Sequence, residues 1–221
     1  MKYLGKGIYT VPAASRILGI GAPKMRRWIS GYTYYSKEEH RAVKPIFDPD
    51  FNPADAVISF LDLMELLLIK SFVQHGVSIK KIREVAAIVS SKQKTSHPLA
   101  IRKMYTDGKW ILAQTSDKSL IDLINKQYQL GEIVEPLLYG CIDFNVDEYA
   151  EKWWPNGKGG GIVLDPMRNM GQPILDNYNV RTKLIFELYK ADHSIDEISD
   201  WYELDKAAVE AAVGFEKGLV A

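Results

Sequence analysis

One cysteine, Cys141, stands alone in 221 residues, so an internal disulfide framework is excluded and a reducing compartment fits. No charged-then-apolar leader opens the chain, where Lys2 and Lys6 flank little apolar sequence. The most apolar stretch, residues 57–73, is interrupted by Asp62, Glu65 and Lys70, so no membrane span is expected. The cytoplasm is the expected location. His40, His75, His97 and His193 show no ligand spacing among themselves or with Cys141, so neither a metal site nor a cofactor is expected. The glycines of residues 156–161, NGKGGG, lack the spacing of a phosphate loop and precede an apparent strand, reading instead as a flexible joint. Acidic residues in the last third sit where they cap and solvate helices. Nothing here has the pattern of an enzyme active site.

Net charge is also missing: 28 Lys/Arg balance 28 Asp/Glu. The balance hides an uneven distribution. Residues 1–47 hold nine Lys/Arg against two Asp/Glu, a net of +7. Residues 48–160 net −2 and residues 161–221 net −5. A basic head suits phosphates, and an acidic tail suits a different partner.

What is present begins with residues 9–31, YTVPAASRILGIGAPKMRRWISG. Thr10 can cap a helix whose first turn holds Pro12. Val11, Ala14, Ile17 and Leu18 recur at helical spacing, and Gly19 can take the left-handed position that ends it. Pro23 fits the first turn of a second helix to about Ile29. Met25 and Ile29 share its inward arc, with Trp28 at the margin, while Pro23, Lys24, Arg26 and Arg27 point outward. This is the outline of a helix-turn-helix with a basic reading helix, although a solvated helical hairpin has the same outline.

Residues 32–51 alternate aromatic and β-branched positions around a charged tip, and Pro45 and Pro49 oppose a helix, which predicts a β-hairpin wing. The candidate DNA contacts are Lys24, Arg26, Arg27 and Trp28 of the second helix and Lys37, Arg41 and Lys44 of the wing. Tyr32, Tyr34 and Tyr35 are open to packing beneath it or touching DNA, and packing is the reading preferred. A buried helix should start at Asn52-Pro53 and run to Gly76, and a further helix capped by Ser78 should carry the stripe Ile79, Ile82, Val85, Ala86 and Val89. Residues 90–97 read as a loop. Farther on, the Asp107-Gly108 pair predicts a hairpin, residues 119–128 a short helix, residues 133–144 an extended segment and residues 146–154 a short helix. The tail reads as two short strands, at 162–164 and 173–175. Three helices follow: one capped by Thr182, one opened by the Ser194/Glu197 capping box, and a last one capped by Asp205 with Ala208, Ala211, Ala212 and Phe215 on its packing face.

The fold class expected is mainly α with small β elements. A winged helix-turn-helix domain occupies residues 1–95, a connecting segment with a β-hairpin 96–160, and a small three-helix domain with a short β-hairpin 161–221. Residues 9–35 followed by LMELLLIKSFVQHGVSIKKIRE resemble the winged-helix head of MerR-type regulators. The tail, with its Asp165-Pro166, Gly171-x-Pro173 and three helices, resembles a small domain of bacterial antitoxins. Together they resemble a VapB-type antitoxin. That resemblance implies a homodimer that binds operator DNA, represses its own synthesis, and forms a hetero-oligomer with a PIN-type RNase toxin. Arg168, Arg181 and Lys183 are the basic residues available to meet the toxin's carboxylates. The alternative is a MerR-like ligand-sensing transcriptional regulator without a toxin partner, with residues 96–160 as sensor. Departures from the family pattern are Arg27-Trp28 where a MerR head has arginine-tyrosine, the lack of a sustained heptad after the wing, and Asn179-Val180-Arg181 where the tail family has Gly-Thr-Arg.

Overall fold

A computed structural model describes residues 5–35, 40–102 and 141–220. Lys37, the Asp107-Gly108 hairpin, the helix at 119–128 and residues 133–140 of the expected extended segment lie outside them. Among the described residues one compact unit takes in 9–35, 40–102 and 144–150, and the other 5–8, 141–143 and 151–220.

In the first unit, β1 (Tyr9–Thr10) leads into α1 (Val11–Leu18). Thr10 accepts a hydrogen bond from the Ala13 amide, and Gly19 ends the helix at φ 59°, as the sequence predicts. After the turn comes α2 (Ala22–Ser30). Strands β2 (Tyr32–Tyr35) and β3 (His40–Val43) pair antiparallel, Tyr32 opposite Val43 and Tyr34 opposite Arg41. β4 (Val57–Ile58) returns to pair with β1.

The long helix does not start where expected. Asn52 caps only a short 3-10 turn, Pro53–Asp55, which Ala56 breaks in the left-handed region at φ 54°. The helix proper, α3 (Phe60–Gln74), starts from a capping box in which the Asp62 amide donates to the Ser59 hydroxyl and the Ser59 amide to the Asp62 carboxylate. Phe60, Leu63, Met64, Leu66, Leu68 and Ile69 point in several directions around α3, and all are buried. Gly76, at φ 84°, follows its end. Ser78 caps α4 (Ile79–Gln93), which buries Ile82, Val85, Ala86 and Val89 and runs on through residues 90–93, where a loop is expected. Lys94, left-handed at φ 51°, stops it.

The chain passes between the units through β5 (Ile142–Phe144) and β6 (Ala150–Trp153), and no helix forms over 146–154. The Asn145 side chain accepts from the amides of Asp147 and Tyr149, offering the backbone a turn in place of a helix.

In the second unit, residues 156–161 form a built turn instead of a loose joint. A 3-10 turn, Lys158–Gly160, lies between glycines at positive φ, and Lys158 pairs with Asp143 at 2.6 Å. β7 (Ile162–Val163), β8 (Ile174–Leu175) and β9 (Val180–Arg181) make a three-stranded antiparallel sheet, one strand more than expected. Behind it lie α5 (Thr182–Lys190), α6 (Ile195–Tyr202) and α7 (Lys206–Val220). The Ser194/Glu197 capping box is present, and the Glu197 carboxyl sits below its ordinary range because the Ser194 backbone amide donates to it. Thr182 is not a cap. It is buried in the first turn of α5 and donates to the Glu216 carboxylate at 2.6 Å. Ile162, Leu175, Ile185, Ile198, Leu204, Val209 and Phe215 are the centre of this unit's core. Among the described residues no helix is long and apolar enough to cross a membrane.

Candidate nucleic-acid interface

Helix α2 divides its residues sharply between two environments. Met25, Trp28 and Ile29, at helical spacing, are buried, while Pro23, Lys24, Arg26 and Arg27 are exposed. A burial stripe on one side therefore fixes which way three cations face. Gly21 stands at the N-cap, no side chain caps the helix, and its first turn holds no acid, so its leading N–H groups favour an anion.

Trp28 corrects the sequence reading: it is 4% exposed and belongs to the core, not to a DNA-facing surface. Its position three residues after Met25 completes the inward stripe, and its carbonyl accepts from the Ile46 amide at 2.9 Å, tying α2 to the segment that follows the wing. The Lys24 ammonium lies 5.1 Å from the centre of its ring, a cation–π contact that orients Lys24 along the helix surface. The Arg27 guanidinium lies 5.8 Å from the ring of Tyr32 on β2, so helix and wing meet at Arg27.

The wing is open. Tyr32, Tyr34 and Tyr35 are exposed, Tyr35 by 71%, and do not pack beneath it as expected. A two-stranded ribbon has no layer to cover either face. Arg41 and Lys44 are exposed on the return strand and just beyond it. The wing's base is held twice: the Arg83 Nε of α4 donates to the Lys44 carbonyl at 3.1 Å, and Gly31 makes the joint with α2 at φ 70°, where an added Cβ would lie 2.2 Å from the Val43 oxygen. Lys24, Arg26, Arg27, Arg41 and Lys44 thus all belong to one unit, exposed on the second helix of the helix-turn-helix and on its wing. Sequence reasoning preferred packing to DNA contact for the three tyrosines, but they are exposed, and their polar-tipped rings suit sugar and phosphate as well as base edges.

In the tail the three basic candidates differ. Arg168 is already engaged: its guanidinium donates to the Asp176 carboxylate at 2.6 Å, to the Asp176 carbonyl and to the Asn179 side chain. Arg181 and Lys183 are exposed at the start of α5. Beyond these, Met167, Met170 and Trp201 are large apolar side chains left in solvent, with His193 edge-on to Trp201 at 4.7 Å. The head also gathers Asp50, Asp62 and His97, a set that histidine spacing alone could not reveal because each residue comes from a different segment.

A helix-turn-helix head joined to a separate α+β tail defines the class. Residues 7–86 match a family model described as "Putative DNA-binding HTH domain", and residues 162–215 one described as "Protein of unknown function (DUF433)". The resemblance to a VapB-type antitoxin holds over the chain's length. It is 27% identical over 211 residues to a protein of Mycobacterium tuberculosis named "Putative antitoxin VapB45", covering 88% of this chain and 87% of that one. It also resembles the crystal structure of Rv2018 from Mycobacterium tuberculosis, with a TM-score of 0.71 and 25% identity over 93% of this chain and 96% of that chain.

Proposed function

We propose that this chain is the antitoxin of a type II toxin–antitoxin pair: a cytoplasmic, non-enzymatic regulator that binds its operator and neutralises a PIN-type RNase toxin. One observation carries the DNA half. The core-facing stripe of α2 leaves Lys24, Arg26 and Arg27 together on the outside of the helix that a helix-turn-helix inserts into the major groove. Arg41 and Lys44, with Lys37, contact backbone phosphate from the wing. The likeness along most of the chain to a protein named as an antitoxin supports the rest.

Labour divides along the sequence. Residues 1–95 address DNA, 96–160 connect, and 161–221 dimerise and dock the toxin. Arg181 and Lys183 meet the toxin's carboxylates, and Arg168 holds the hairpin that presents them. Autorepression follows when the same dimer, with or without toxin, sits on its own promoter. Co-expression with the adjacent reading frame tests this reading. The neighbour alone should arrest growth, and the two products should co-purify. A harmless neighbour that fails to co-purify contradicts it.

A further inference from the structure

Three segments of the head unit bring Asp50, Asp62 and His97 to one place. Asp50 lies in the loop ahead of the Pro53–Asp55 turn, Asp62 in the first turn of α3, and His97 beyond α4. One ligand atom from each lies within 4.8 Å of the others. His97 is 4% exposed, and among the described residues neither of its ring nitrogens has a hydrogen-bond partner. A buried imidazole left in that condition is costly unless something else satisfies it.

The spacings point to what does. His97 Nε2 is 3.4 Å from Asp50 Oδ2, and His97 Nδ1 is 3.8 Å from Asp62 Oδ1. Both are long for an N–H···O bond. The approach of Nε2 to Asp50 matches the roughly 3.3–3.6 Å between neighbouring ligand atoms of a tetrahedral divalent ion with arms of about 2.0–2.2 Å, so Nε2 is the ligating nitrogen, and Asp62 lies within the same 4.8 Å cluster. The Asp62 carboxylate is meanwhile held still, Oδ2 accepting from the Ser59 amide at 2.8 Å and Oδ1 from the Asp50 amide at 3.2 Å. The second contact also ties the backbone of one acid to the side chain of the other. Outer hydrogen bonds of this kind orient ligating carboxylates in metal sites.

We propose that Asp50, Asp62 and His97 bind one divalent transition-metal ion of the zinc type. The donor set, one imidazole and two carboxylates without thiolate, suits zinc and leaves a fourth position for water. A bound ion ties the loop after the wing and the segment after α4 to the start of α3, and so stiffens the base of the DNA-reading unit. His97 also faces Phe47, its ring centre 6.5 Å away, in the stretch leading from the wing to Asp50.

Zinc titration of the chelator-stripped full chain, followed by calorimetry and elemental analysis, tests this. One equivalent should bind, and the thermal midpoint should rise with free zinc. Asp50→Asn, at the most accessible of the three ligands, should weaken binding by at least about tenfold while the protein stays folded. His75→Ala and His193→Ala should leave the equivalent in place. Cobalt(II) gives a readout independent of stability, since a four-coordinate site produces strong visible bands that Asp50→Asn should remove. The arrangement that competes is an imidazolium shared between two carboxylates with no ion. It predicts no bound equivalent and no cobalt bands in the native chain, and that result overturns the proposal. Undiminished zinc binding in Asp50→Asn and His97→Ala overturns it too.

Discussion

The ammonium of Lys70 on α3 donates to the carbonyl oxygen of Leu18, the last residue of α1, at 2.6 Å. That contact joins positions 52 residues apart and places a positive charge at the negative end of a helix. It anchors the first helix of the DNA-reading pair to the central helix of its unit. Lys70→Met keeps the aliphatic stem and removes the charge. It should destabilise the unit by about 1–3 kcal/mol in urea denaturation. Lys70 faces this carbonyl and not phosphate, so the salt dependence of DNA binding should keep its slope in the variant. A reduced slope would place Lys70 on DNA instead.

Gly31 is the second joint. At φ 70°, with an added Cβ 2.2 Å from the Val43 oxygen, it has no room for a side chain. Gly31→Ala must move the wing relative to α2 or strain the backbone, at about 1–3 kcal/mol. Every cation remains, yet specific DNA affinity should fall while the number of phosphates contacted, read from the salt slope, changes little. Affinity equal to the parent's would show that the wing's placement does not matter.

Glu65 sets the pH response of the head. Burial pushes its carboxyl well above the ordinary value of 4.5, the Leu99 and Ala100 amides pull it back, and the Asp62 charge adds to the rise. Its Oε1 accepts from those two amides at 2.6 and 2.9 Å. The folded state therefore keeps a proton that the unfolded chain releases. This contribution is whole below the unfolded pKa and is lost as pH rises through the folded one. Stability should fall as pH rises above the ordinary carboxyl value of 4.5. Glu65→Gln keeps the acceptor and removes the ionisation, so its urea midpoints should fall less over that range. Asp62 is raised as well, so some slope should persist. An unchanged slope in Glu65→Gln contradicts the assignment.

How far the sequence was legible depended on whether the deciding contact was local. Thr10, Gly19, Ser78 and the Ser194/Glu197 pair read correctly because caps act within three or four residues. The stripe of α2 read correctly for Met25 and Ile29 but left Trp28 at the margin, and only its burial in the folded unit, at 4% exposure, decides the matter. Asn52 was a true cap of the wrong helix, since a left-handed Ala56 has no sequence signature. Thr182 looked like a cap but bonds to Glu216, 34 residues away. The open tyrosines of the wing depend on what does not pack over a two-stranded ribbon, and alternation alone cannot report that. Asp50, Asp62 and His97 come from three segments, so no spacing rule joins them.

The central claim is that the outward cations of α2 read DNA. The direct test is equilibrium binding of the full chain to the DNA upstream of its own gene, across a salt series, beside Lys24→Glu/Arg26→Glu/Arg27→Glu and Arg27→Ala. The parent should bind specifically with a steep salt slope, and Arg27→Ala should lose about 1–3 kcal/mol of specific binding. The triple reversal should abolish specific binding while its thermal midpoint stays close to the parent's, because all three side chains are exposed. Unaltered specific affinity in the folded triple variant would contradict the account.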